Sequence, residues 1–155
     1  MADQTVFRCY VCRAPLPSQH LIFARRVEQL VPTVQDGKPG NILNILQDDG
    51  LLLYCRHHCW KRHEGEVATL LRLQSTYPQS GMIVPCSRCG VPVHRTVPHV
   101  SYAITEMIVD YSEDSPVAEP IDDTEFAVLC TDCERPDAPA EEAAFARPEI
   151  ERAGV

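Results

Sequence analysis

A small α+β fold, written twice along the chain, is what this sequence predicts, and three observations carry that expectation. The 155 residues hold eight cysteines in four close pairs: Cys9/Cys12, Cys55/Cys59, Cys86/Cys89 and Cys130/Cys133. The first two pairs recur as the second two after roughly 75 residues, and self-similarity at one period marks a repeated unit. The contexts recur too. Cys9-Tyr10-Val11-Cys12-Arg13-Ala14-Pro15-Leu16 matches Cys86-Ser87-Arg88-Cys89-Gly90-Val91-Pro92-Val93, and Leu52-Leu53-Tyr54-Cys55 matches Ala127-Val128-Leu129-Cys130.

The elements follow in order. Residues 21–27 and 51–55 read as strands, residues 42–46 fit either strand or helix, and residues 35–40 carry the Asp, Gly and Pro of a turn. After Cys59, the residues Trp60, His63, Val67, Leu70 and Leu71 return at three- and four-residue spacing, which predicts an amphipathic helix to about Leu73. Residues 75–81 are polar and bear Pro and Gly, the composition of a linker. In the second half Val100, Tyr102, Ile104 and Ile108 alternate as a strand does, residues 126–130 form another, and the acidic, proline-containing residues 110–124 read as a loop. Pro136 ends any helix after Cys133, and the Ala/Glu/Pro-rich remainder reads as a tail with one short helix around residues 141–145. The expected organisation is unit 1 over residues 1–75, a linker over 76–83, an acidic unit 2 over 84–135 and a tail over 136–155.

No run approaches the ~18–20 apolar residues of a membrane span, and no secretory leader stands at the N-terminus, so the expectation is a cytoplasmic protein with no membrane partner. In that compartment thiols stay reduced, and paired cysteines are metal ligands before they are disulfides. Two residues between cysteines form a tight turn that aims both sulfurs at one ion, and zinc takes four such ligands in a tetrahedron. Cys9, Cys12, Cys55 and Cys59 are expected to hold one zinc, and Cys86, Cys89, Cys130 and Cys133 a second. Cys55 and Cys59 are spaced by three residues, which places them on one face of a helix's first turn. His58 is the alternative to Cys59, since it would restore two-residue spacing, while His57 and His63 read as surface and packing residues. The positive end of a helix dipole also suits a thiolate site.

A knuckle Cys-x-x-Cys, a hairpin and a last ligand pair at a helix start resemble the treble-clef zinc-finger group. The resemblance covers residues 7–73 and, in its outline, 84–134; in the second half Pro136 leaves little room for a helix, and a zinc ribbon fits equally. It implies tandem metal-stapled fingers built of hairpins plus a short helix, and no particular task.

Iron in a four-cysteine site has the same spacing, whereas redox chemistry needs one isolated pair. Pro85-Cys86-Ser87-Arg88-Cys89 matches half of a zinc-deaminase signature, but the required upstream His-x-Glu is missing: His63-Glu64 and His63…Glu66 have the wrong spacing. Four-cysteine sites leave no coordination position open for water, so the expectation is a non-catalytic protein.

The net charge of −8 is unevenly placed. Residues 1–75 carry nine Lys/Arg against seven Asp/Glu, residues 76–135 three against ten, and residues 136–155 two against five. An acidic second half repels phosphates and attracts basic proteins, so the expected function is a protein–protein interaction module (adaptor, inhibitor or immunity type) for a basic partner. The alternative is a nucleic-acid-binding finger that gathers Arg8, Arg13, Arg25, Arg26, Arg56, Lys61 and Arg62 beside Tyr10, Tyr54 and Trp60. Asp48-Asp49 and Asp122-Asp123 read as solvated acids beside turns. Partner identity, oligomeric state and partner-binding residues are open at this level.

Overall fold

The computed structural model describes residues 7–110, 112 and 115–135; the expected tail helix around residues 141–145 lies outside them. The chain forms β1 (Gln19–Gln35), β2 (Lys38–Tyr54), α1 (His57–Leu70), β3 (Ile83–Pro85), β4 (Pro92–His94), β5 (His99–Asp110) and β6 (Val117–Leu129). The long strands make one antiparallel sheet in the order β2-β1-β5-β6, and β3 and β4 pair separately.

The turn between β1 and β2 is tighter than the sequence suggested. Only Asp36 and Gly37 lie between the strands, with φ of 52° and 73°. Two positive φ values are what a two-residue type I′ loop requires, and Asp-Gly supplies them at least cost. Residues 42–46 are strand. Residues 117–124, expected within a loop, belong to β6, which pairs with β5 from Val117↔Asp110 onward. Both faces of β6 are exposed there, so selection for solubility replaced the hydrophobic alternation that reveals a half-buried strand.

The two hairpins join through their first strands. β1 and β5 pair from Gln19↔Ile108 to Glu28↔His99. The strand order is therefore the same read from either side (second, first, first, second), as an approximate two-fold axis between β1 and β5 would give. The two halves share a sheet and a core.

That core is aromatic. Phe23 of β1 stacks on Trp60 of α1 at 5.4 Å between ring centroids and on Tyr102 of β5 at 5.6 Å. Phe126 of β6 meets Phe23 edge-on at 5.9 Å and Trp60 at 5.0 Å. The helix buries Trp60, His63 and Val67 of the expected stripe together with Cys59, whereas Leu70 is exposed; it ends at Leu70, short of Leu73, with Leu71 buried just beyond and Arg72 left-handed at φ 58°. Tyr77 packs its ring on Phe126 at 5.3 Å and accepts a hydrogen bond from Trp60 Nε1 at 3.0 Å, so the segment after the helix also lies against the core. Among the described residues no helix is long and apolar enough to cross a membrane.

Candidate metal centres

Each cluster is assembled from a knuckle and the end of a hairpin. In the first knuckle Cys9 N–H donates to Ala14 O at 2.9 Å and Arg13 N–H to Cys9 O at 3.0 Å; in the second, Cys86 N–H donates to Val91 O at 2.7 Å and Gly90 N–H to Cys86 O at 2.9 Å. The fifth residue of the turn is left-handed in both, with φ of 65° at Arg13 and 83° at Gly90. Glycine adopts that conformation freely, and Arg13 bears the cost of a Cβ there. Each knuckle then docks on the outer edge of its own hairpin: Tyr10 N–H donates to Leu53 O at 2.8 Å, and Ser87 N–H to Val128 O at 2.8 Å. Cys55 and Cys130 directly follow those two strands, so docking brings the cysteine pairs together.

The result is two groups, Cys9/Cys12/Cys55/Cys59 and Cys86/Cys89/Cys130/Cys133, whose sulfurs within each group all lie within 4.8 Å of one another. None of the eight cysteines is in a disulfide. Sγ–Sγ separations are 3.5 Å for Cys12–Cys55, 3.6 Å for Cys55–Cys59 and 3.6 Å for Cys89–Cys130. A tetrahedral ion with bonds of about 2.3 Å holds its sulfurs about 3.8 Å apart, so the thiols already approximate the edges of a tetrahedron. Each cluster can hold a metal ion. Cys59, not His58, lies in the first group, and His58 is exposed.

The polar surroundings differ between members of each cluster. Burial pushes the Cys9 thiol up, but N–H groups of Cys12, Cys55 and Val11 directed at it bring it down to about 7. Cys86 is treated alike: against burial, N–H groups of Cys89, Cys130 and Arg88 lower it to about 6. Arg88 N–H and Cys130 N–H both point at Cys86 Sγ from 3.4 Å. Cys55 and Cys133 are pushed up by burial and by the neighbouring sulfurs. In each cluster backbone N–H groups, helped by a neighbouring cysteine, favour one thiolate, and four together need a cation.

The helix carries structural information between the clusters. α1 begins at the first, and with 14 residues it spans about 21 Å. Just past its end Leu71 O accepts from Arg88 Nε at 2.9 Å, and the same guanidinium donates to Cys133 O at 2.9 Å. Thr131–Cys133 at the second cluster is a turn, and no helix follows it among the described residues.

Two sequence expectations fail here. Arg25 and Arg26 are buried, as are Tyr54 and Trp60, so they add nothing to an exposed basic face. Arg25 donates to Arg135 O at 3.0 Å, and Arg26 binds Asp123 at 2.7 Å and Thr105 Oγ1 at 2.7 Å and lies 3.4 Å from Asp48. Asp48 and Asp123 thus lie within strands and not beside turns, and each, though solvent-exposed, meets the buried Arg26. His63 packs as expected, with Nδ1 2.6 Å from Tyr54 Oη, and His57 is exposed beside Glu106.

One group escaped the sequence reading. Glu28, His99 and Glu125 bring ligand atoms within 4.8 Å of one another. Arg95 already lies among them, 2.7 Å from Glu125 and 3.5 Å from Glu28, so the group is a buried ion-pair network with its own cation. Its sequence trace is Glu28, set two residues after Arg26 within β1. Compared with protein-family models, with curated proteins and with solved structures, the chain gives no match.

Proposed function

We propose that this is a non-catalytic zinc-binding protein in which two four-cysteine ions staple one shared sheet, and that the sheet serves as an interaction module for a basic partner protein. The observation that carries the zinc reading is the pair of closed, all-sulfur groups with tetrahedral spacing. An all-thiolate donor set suits zinc or iron, and zinc is the usual occupant of closed structural sites. A knuckle, a hairpin and a last ligand pair at the start of α1 favour a treble-clef-like first site; the turn at Cys133 favours a ribbon-like second one. Four sulfurs fill the coordination sphere, which leaves no position at which zinc could activate water.

The partner reading rests on charge. The outer strand β6 exposes Glu119, Asp122 and Asp123, and β5 ends in Asp110. A basic protein would be steered to that edge, and a nucleic acid repelled. With Arg25 and Arg26 buried, the alternative nucleic-acid surface keeps only the scattered Arg8, Arg13, Arg56, Lys61 and Arg62.

Elemental analysis of protein purified without added metal should give two zinc ions per chain; iron, or less than one ion per chain, overturns the metal assignment. A labelled Arg-rich peptide should bind with an affinity that falls as salt rises, and the double substitution Glu119→Gln/Asp122→Asn should weaken it. Affinity indifferent to salt and to that substitution, or tight binding of RNA at low salt instead, defeats the partner reading.

A further inference from the structure

The two outer strands of the sheet are defended unequally. Along its exposed length β6 carries Glu119, Pro120, Asp122 and Asp123. Charge and a residue without N–H are what keep an edge from pairing with another chain. On β2 the charges and the proline stand only at the ends of the exposed length, Lys38 and Pro39 at one and Asp48 at the other. Its run Asn41-Ile42-Leu43-Asn44-Ile45-Leu46-Gln47 contains neither charge nor proline. The side chains of Ile42, Leu43, Ile45 and Leu46 are 51%, 37%, 41% and 51% exposed. Among the described residues the knuckle meets this edge at its far end, at Leu53.

We propose that this edge pairs with the same edge of a second copy, β2 against β2 and antiparallel, so that two four-stranded sheets become one continuous sheet in a two-fold dimer. The order of residues along the edge identifies the occupant. Two copies in a continuous antiparallel sheet are related by an axis perpendicular to it, so one residue must sit opposite its own copy. With Asn44 in that place, Leu43 meets Ile45 of the second copy, Ile42 meets Leu46, and Asn41 meets Gln47. Every apolar residue faces an apolar one and every amide an amide. Centring on Leu43 sets Ile42 against Asn44, and centring on Ile45 sets Asn44 against Leu46, so neither neighbouring centre matches.

Leu43 and Ile45 of both copies then cluster on one face; on the other, Ile42 and Leu46 flank an Asn44 pair able to hydrogen-bond across the axis. β2 bulges against β1 at Leu46, since Val27 pairs with Gln47 and Glu28 with Ile45. The bulge lies at the end of the apolar run and confines the straight ladder to the residues around Asn44. The chain already uses this mode of joining once, where β1 and β5 pair edge to edge.

A strand pair with eight apolar side chains is at the small end of specific interfaces, so the dimer should dissociate on dilution. Sedimentation equilibrium of the metal-loaded full chain tests it. The wild type should pass from monomer to dimer as concentration rises. Asn44→Asp places two like charges directly opposite each other, and Ile42→Lys spoils two symmetry-related pairs; each should weaken the dimer by roughly tenfold or more while metal content and far-ultraviolet dichroism stay unchanged. Val117→Lys, on the guarded edge, should change nothing. A wild type that stays monomeric at every concentration leaves this edge to a different protein and overturns the proposal. So does a dimer that both β2 substitutions leave intact.

Discussion

Replacing Phe23 by alanine tests whether the two halves stand or fall together. Phe23 is fully buried on β1, in the first half, yet of three rings described against it two, Tyr102 and Phe126, belong to the second. The third, Trp60, is on the helix that begins at the first cluster. Truncating a buried phenylalanine costs about 3–5 kcal/mol, of which each lost aromatic pair contributes about 0.5–1.5 kcal/mol. The ring is packed among other rings, and stiff neighbours collapse poorly into the space it leaves, so the upper part of that range is expected. Domains of this size have about 5–15 kcal/mol in total, so the variant should lose a third of its stability or more.

Urea unfolding at fixed free zinc supplies the assay, followed in parallel by the fluorescence of Trp60, the chain's single tryptophan, by far-ultraviolet dichroism and by metal release. The three transitions should coincide in the wild type and move together to lower urea in the variant, with the slope against denaturant unchanged. Two separate transitions of which only the first moves would refute the shared core, and a loss under about 1.5 kcal/mol would refute the packing argument.

Other perturbations separate ligand, backbone and charge effects. Cys59→Ser should release one metal ion per chain and His58→Ala none, as counted by elemental analysis, because Cys59 lies in the first group and His58 is exposed. Gly90→Ala should destabilise by about 1–2 kcal/mol in thermal unfolding; a Cβ there meets nothing within 4 Å, so the whole cost is the left-handed backbone at φ 83°. A loss as small as a few tenths would show that the knuckle relaxes. Arg26→Met removes a buried guanidinium whose partners, Asp48 and Asp123, have side chains 46% and 39% exposed. Those carboxylates can be rehydrated, so the cost should be about 1–2 kcal/mol, below the 3–5 kcal/mol of stranding a buried charge. Urea titration checks it.

The metal clusters were legible because the information is local. Cys-x-x-Cys spacing states a turn, the repeated context states the partner, and the Asp36-Gly37 pair states a hairpin. Where β6 begins was illegible for an equally physical reason. An outer strand wet on both faces has no alternation to read, and its acids and proline, placed to repel other strands, are the residues that otherwise mark a loop. The joining of β1 to β5 was hidden as well. Each strand announced a buried face, but nothing in either announced its neighbour. Arg25 and Arg26 looked like surface charge because their counter-ions stand far along the chain: Asp123 for Arg26 and Glu134 for Arg25.

Those buried charges bear on how one register is chosen between β1 and β5. Paired residues share a face, so Phe23 with Ile104 and Val27 with Val100 present apolar groups to the helix side. Arg26 with Ser101 and Glu28 with His99 present polar groups to the other. A slip of one residue would exchange the faces of one hairpin, placing Tyr102 beside Glu28 and His99 in the aromatic core. Apolar contact alone penalises that slip weakly, since both strands are rich in Val, Ile and Ala. A stranded carboxylate penalises it heavily, because it would lose both Arg95 and His99, each 3.5 Å from Glu28. Replacing the network with apolar residues would thus do more harm to the uniqueness of the pairing than to its strength. The charged face specifies how the halves meet; the aromatic face, and the two cysteine clusters once they hold metal, keep them together.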